Sequence, residues 1–236
     1  MFSLLAALIV VISGAGCGPA TRLGARQMPA RDGPQEHVLA GASHGRARAF
    51  LIVRDSASRV DVRLVDLPGL LYRISTPADS GLAPAVTGAP GRVRLGLRPT
   101  GADGPDTVEI LLSRAVRWDI RLPAGAGEQH LDLAAGRLSR LELGAGTGLV
   151  SLRLPPPRGT VPIIVAGGVG EVALATPPGT PVRLHLRGGA GLVAVPWTGR
   201  ARALAGAVVA TAGWRTAPDR YSVNVAAEVG SVTIWG

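Results

Sequence analysis

The chain has no lysine and a single cysteine in 236 residues. With Cys17 alone, no disulfide can form within the chain, so stability must come from packing. Metal-ligand patterns are also missing: His37, His44, His130 and His185 are dispersed, without ligand pairs at i+2 or i+4. Aromatic residues make up 3%, which leaves Val, Leu, Ile and Ala to build the core. So few rings form no stacking platform beside the arginines, and no nucleic-acid motif is present, so nucleic acid is not an expected partner. A Gly-x-Ser-x-Gly elbow is absent too. No segment reads as a convincing amphipathic helix. The 33 glycines and 19 prolines are too many for a helical protein, and they punctuate apolar runs instead of massing in one tract.

What the chain has instead is recurrence. Gly127, Gly148, Gly170 and Gly191 head short apolar segments at intervals of 21, 22 and 21 residues (148−127, 170−148, 191−170). The segments continue Leu149-Val150-Ser151-Leu152, Glu171-Val172-Ala173-Leu174 and Leu192-Val193-Ala194-Val195; the first copy is weaker, running through Glu128 and Gln129 to His130 and Leu131. A fixed period near twenty residues predicts stacked β-coils. The glycines are expected at tight corners, with φ > 0 and close approach between coils.

Period-two alternation supports strands. Val60, Val62 and Leu64 alternate with Arg59, Asp61 and Arg63; Val93, Leu95 and Leu97 with Arg94, Gly96 and Arg98. Trp118, Ile120 and Leu122 alternate with Arg117, Asp119 and Arg121; Val182, Leu184 and Leu186 with Arg183, His185 and Arg187. Further strands are predicted at 108–112, 131–133, 138–143, 149–154, 161–165, 171–175, 192–195, 221–227 and 231–235, and Arg200–Ala210 reads as a loop plus a strand. The fold class is all-β, a stacked β-repeat solenoid. Residues 38–118 are expected to form a starting sheet and 119–236 the glycine-punctuated repeats of one domain.

The first residues set the address. Leu4–Ile12 is an unbroken apolar run, followed by Ser13, Gly14, Ala15, Gly16 and Cys17. A short apolar stretch ending in small residues reads as a secretory signal. Its end resembles the lipobox of bacterial lipoproteins, which implies a lipid on Cys17 and a membrane partner. Cleavage after Ala15, giving a secreted protein, and retention as an uncleaved anchor stay open. Residues 18–37, interrupted by Gly18, Pro19, Gly24, Pro29, Gly33 and Pro34, read as a tether.

Several stretches together carry a family resemblance. These are Val116–Leu122 with Gly125 and Gly127, Leu141–Gly146, Gly159–Pro162, Gly167–Gly170, Pro178–Arg183, Gly188–Gly191, and the closing Asp219–Val225 and Gly230–Ile234. The pattern is similar to the bacterial toast-rack β-repeat domains of unknown function, adhesin-like modules related to the C-terminal domain of cell-wall-active antibiotic response proteins. The resemblance implies a right-handed, β-helix-like domain, exported or membrane-tethered, with no catalytic residues to carry over.

One segment invites a different assignment. Leu141–Gly148 looks like the first motif of methyltransferases that use S-adenosylmethionine, which needs a helix next. Pro155, Pro156 and Pro157 stop any such helix early. Asp103, Asp106 and Glu109 near a Gly-Pro turn read as a solvated turn, with calcium as the alternative. The four tryptophans, Trp118, Trp197, Trp214 and Trp235, read as core plugs or caps, with a sugar-stacking surface as the alternative.

The formal charge of +9 is carried entirely by arginine. Codon bias explains an all-arginine chain; an anionic partner is the functional alternative. The candidate anion-binding face is Arg117, Arg121, Arg183 and Arg187, and the candidate partners are an anionic wall polymer or an envelope protein. No catalytic site, cofactor or metal is expected. The reading is a non-enzymatic, lipid-anchored envelope module for structure, adhesion or stress sensing. An enzyme or small-ligand carrier without a readable signature, and a homotypic assembly module, are the rivals.

Overall fold

The computed structural model describes residues 36–236. The signal segment, Cys17 and nearly all of the tether lie outside the described residues. Nineteen strands and no helix occur among those described. The chain opens with β1 (His37–Ala42) and then makes a rung of two strands, β2 (Arg48–Val53) and β3 (Ala57–Val65). Separate strands β4 (Leu70–Thr76) and β5 (Leu82–Thr87) precede a second rung, β6 (Arg92–Pro99) and β7 (Thr107–Ser113). Three rungs follow directly: β8 (Arg117–Leu122) with β9 (Ala126–Asp132), β10 (Arg137–Leu143) with β11 (Thr147–Arg153), and β12 (Thr160–Val165) with β13 (Val169–Ala175). After β14 (Val182–Leu186) and β15 (Ala190–Val195) come the short β16 (Gly199–Ala203) and β17 (Ala207–Ala210), and β18 (Arg220–Val225) and β19 (Val229–Trp235) close the chain.

The first strand of each rung joins a nine-stranded sheet, ordered β17-β14-β18-β12-β10-β8-β2-β6-β5. The second joins a ten-stranded sheet, ordered β1-β4-β7-β3-β9-β11-β13-β19-β15-β16. Rungs pair in parallel, and antiparallel strands close both ends: β4 on β7 and β5 on β6 at one, β16 on β15 and β17 on β14 at the other. Edge strands that turn back in this way limit further parallel addition.

Spatial order departs from chain order twice. Rung β6/β7 lies outside β2/β3, and the last rung, β18/β19, inserts between β12/β13 and β14/β15. Four of the repeats were expected to stack in sequence; instead Gly230 takes the place between Gly170 and Gly191. A Cβ added at Gly148 would lie 2.9 Å from the Gly127 carbonyl oxygen, and one at Gly170 2.6 Å from that of Gly148. One at Gly230 would strike Gly170, and one at Gly191 would lie 2.7 Å from the Gly230 carbonyl oxygen. Close approach is therefore real. The expected positive φ is not: none of Gly127, Gly148, Gly170 or Gly191 is among the positive-φ glycines. These residues sit just inside the strand, one position past its first residue, where the ladder skips a pair. The chain turns before them, through residues such as 144–146.

Two inner faces meet in one apolar core. Columns run through the stack, as with Leu51, Ile120, Leu141, Ile163, Val223 and Leu184 in the nine-stranded sheet. Trp118 is fully buried and paired with the small Ala49, so volume is shared between neighbouring rungs. Its indole N–H donates to the Ser113 carbonyl at 3.0 Å. Gln129 breaks a column of Val60, Val150, Val172, Val232 and Val193; it is fully buried, and its amide has no hydrogen-bond partner. That is the weak first copy of the repeat seen in the sequence.

Trp118 is a core plug, as expected, and Trp197 is partly buried against the core. Trp235 is not a plug: Val232 and Ile234 take the inward positions of β19, and Trp235 is 46% exposed on the outer face. Arg200–Ala210 forms two short strands around a turn at Leu204–Gly206, in place of a loop and one strand.

Candidate anion-binding face

The alternation that buries one side of each strand leaves the other in water, and the two outer faces differ in charge. Strands β3, β7, β9 and β11 of the ten-stranded sheet carry three arginines (Arg59, Arg63, Arg153) and four acidic residues (Asp61, Glu109, Glu128, Asp132). These neutralise one another. Arg59 contacts Asp61 at 2.9 Å and Glu128 at 3.5 Å, Arg63 pairs with Glu109, and Arg153 reaches Asp132 at 3.1 Å. The Asp61 hydrogen bond, with its charge, holds the Arg59 guanidinium pKa above its ordinary value. Because Glu109 is engaged by Arg63 on this face, it does not join Asp103 and Asp106, and no metal-holding cluster occurs among the described residues.

Strands β2, β6, β8 and β10 of the nine-stranded sheet carry eight arginines (Arg48, Arg92, Arg94, Arg98, Arg117, Arg121, Arg137, Arg140) against Asp119 and Glu142. Both carboxylates are taken within their own strands. Arg121 grips Asp119 through two bonds of 3.0 Å, which raises the Arg121 pKa, and Arg140 contacts Glu142 at 2.6 Å. Arg48, Arg92, Arg94 and Arg98 have no carboxylate partner among the described residues.

Arg48, Arg92 and Arg94 gather around Phe50, whereas Arg98 lies further along β6, beside β5. Phe50 sits on the outer side of β2, 39% exposed, in register with Arg92 on one neighbour and Asp119 on the other. The Arg92 guanidinium lies 5.6 Å from its ring centroid. Phe50 divides two shallow hollows. One, of about 200 Å³, is walled by Ile52, Arg92, Arg94 and Arg121; the other, of about 270 Å³, by Arg48, Arg117, Asp119 and Ser139. Arg117 donates to the Arg158 carbonyl at 2.9 Å, and its Nε is buried without a partner. Unpaired guanidiniums around an apolar ring can take phosphate or carboxylate oxygens in paired bonds.

The four arginines proposed from the sequence share this sheet but not one site. Arg117 and Arg121 lie on β8; Arg183 lies on β14 and Arg187 just after it. Between β8 and β14 stand β10, β12 and β18, so the pairs are about 19 Å apart at the usual strand spacing. The face around Arg117 and Arg121 is completed by Arg48, Phe50 and Arg92, which sequence reasoning missed. Their signal was the alternation Arg48, Phe50, Ile52 against Ala49, Leu51, Val53. The methyltransferase-like glycines lead into strand β11, not a helix, so the cofactor-binding turn does not form.

Two sheets joined rung by rung define a stacked β-repeat protein. Residues 96–175, about a third of the chain, match the family model described as the N-terminal domain of toast_rack, DUF2154. The fold is similar to the crystal structure of a "putative cell adhesion protein" from Clostridium sporogenes ATCC 15579, with a TM-score of 0.61 at 19% identity, over 86% of this chain and 99% of that one. No curated protein matches the chain.

Proposed function

We propose that this chain is a non-enzymatic module of the bacterial cell envelope, exported and anchored by lipid on Cys17. It holds an anionic envelope polymer against the arginine face of its nine-stranded sheet. The carrying observation is charge segregation: strands β3, β7, β9 and β11 of the ten-stranded sheet cancel their charges in ion pairs, while Arg48, Arg92 and Arg94 stand unpaired around Phe50. The toast-rack match and the adhesion name of the structural neighbour support an envelope role. So does the signal-like Leu4–Ile12 run before Cys17. A parallel stack is stiff, and charges on it keep their spacing, which favours a repeating polyanion over a single small ion.

The test is retention of the full chain on immobilised teichoic acid. Reversing Arg48, Arg92 and Arg94 to Glu should abolish retention, whereas Arg73→Ser on the ten-stranded sheet should leave it intact. Equal retention of the reversal variant would overturn the assignment. Membrane fractionation of Cys17→Ala tests the anchor: the variant should leave the membrane fraction.

A further inference from the structure

We propose that the groove beside Trp214, at the other end of the same sheet, binds a carboxylate-bearing pyranose sugar. The site stands about 24 Å from Phe50, five strand spacings from β2 to β14, and does not depend on that patch. It is formed where the turn between β17 and β18 folds beside Arg183 of β14.

Trp214 is held firmly. Its indole N–H donates to the Tyr221 carbonyl at 2.8 Å. The Arg220 guanidinium lies 4.6 Å from the ring centroid, and two of its three nitrogens are engaged. Nη1 donates to the carbonyls of Trp214 at 2.9 Å and Arg215 at 2.6 Å, and Nε donates to Thr160 Oγ1 at 2.9 Å. Arg220 is thus a fixed support for the ring. Arg183 is different: its guanidinium lies 5.3 Å from the same ring and has no carboxylate partner among the described residues.

The groove has a volume of about 580 Å³, and Val208, Thr211, Trp214, Arg215 and Thr216 line it with Arg183. That lies within the usual range for small-molecule sites, ~300–1,000 Å³. No carboxylate lines it, so two guanidiniums face an uncompensated space. Each chemical feature selects the ligand. A neutral sugar would use the indole and Val208 and leave the arginines idle. A bare phosphate would use the arginines and leave the ring idle. An acidic pyranose presents an apolar C–H side to the indole and Val208, and a carboxylate to Arg183 and Arg215. A guanidinium lying near an aromatic ring keeps its in-plane N–H groups for such a paired contact.

The experiment is calorimetric titration of the full chain with two acidic probes, a glucuronate oligosaccharide and a glycan fragment containing muramic acid. Saturable binding of either supports the site, and the better probe identifies the source. Arg183→Gln should weaken that binding at least tenfold, and Trp214→Phe, checked for unchanged circular dichroism, should weaken it as well. Three results would overturn the proposal: no saturation with either acidic probe, equal affinity for a neutral oligosaccharide of the same length, or full displacement by millimolar inorganic phosphate. Binding unchanged in Arg183→Gln would overturn it too. Failure here leaves teichoic acid retention, which reads the Phe50 face, unaffected.

Discussion

A methyl group added at Gly170 would sit 2.6 Å from the Gly148 carbonyl oxygen, and both backbones are locked in the parallel ladder. Gly179 offers the opposite case: φ is +71°, but nothing lies within 4 Å of an added Cβ. Gly179→Ala should therefore cost only the left-handed penalty, ~1–2 kcal/mol. Gly170→Ala should cost more, ~3 kcal/mol, through overpacking against backbone, and Gly170→Val should lose cooperative unfolding. Denaturant midpoints check the ranking; equal costs would show that the neighbouring rung can yield. A second residue ties stability to pH. Tyr221 is fully buried and donates its hydroxyl to the Pro155 carbonyl, and burial raises its pKa well above 10.0. The unfolded chain can release this proton near pH 10 while the folded chain keeps it. Its contribution is thus complete below about pH 10 and is lost as pH rises, at up to ~1.4 kcal/mol per pH unit. Tyr221→Phe should flatten this alkaline loss while costing ~1–3 kcal/mol at neutral pH, because the Pro155 carbonyl loses its partner. Urea melts at pH 7 and pH 11 read both effects.

At the scale of elements, the decisive feature is the late insertion of β18/β19. β18 pairs with β12 from Thr160↔Arg220 to Val165↔Val225 and with β14 on its other side; β19 does the same between β13 and β15. The strands β14–β17 are made earlier in the chain but have no rung to dock on until the C-terminus arrives. Such long-range pairing requires loop closure before any contact rewards it. Truncation after Ala217 should therefore unfold β14–β17 along with the missing rung and expose the Val161, Ile163 and Val165 side of the core. Hydrogen exchange and limited proteolysis would detect this. Full protection of β14 and β15 in the truncated chain would contradict it.

At the scale of the whole molecule, the positive charge is concentrated on one face. Strands β2, β6, β8 and β10 hold eight arginines against two acids, while β3, β7, β9 and β11 hold three against four. The field is then one-sided and can orient the stack on a polyanion before contact. The arginines around Phe50 are exposed, so added salt screens them. The Debye length falls from ~10 Å at 0.1 M to ~3 Å at 1 M. Retention on teichoic acid should collapse over that range, and salt-insensitive retention would point to apolar contacts at Phe50 and Ile52 instead.

Much of the fold was legible because β alternation is a local signal. Val182, Leu184 and Leu186 against Arg183, His185 and Arg187 already told which side of β14 is buried, and the Gly127, Gly148 and Gly170 spacing told that rungs stack. The all-β class and most strand positions followed from chain-local pattern and the steric demands of side chains near a backbone. The order of the rungs did not. Gly230 lies 39 residues past Gly191 (230−191) yet stacks between it and Gly170, and no local pattern encodes which parallel neighbour a strand selects. For the same reason the candidate face was only half seen. Arg117 and Arg121 were recognisable as an outward row, but Arg48, Phe50 and Arg92 join them through parallel pairings across the stack. Arg183 was separated from that group by three intervening strands. Sequence alone determined what each strand buries and what it shows to water. Tertiary structure alone decided which exposed groups become neighbours, because strand pairing is a long-range choice set by the packing of the whole stack.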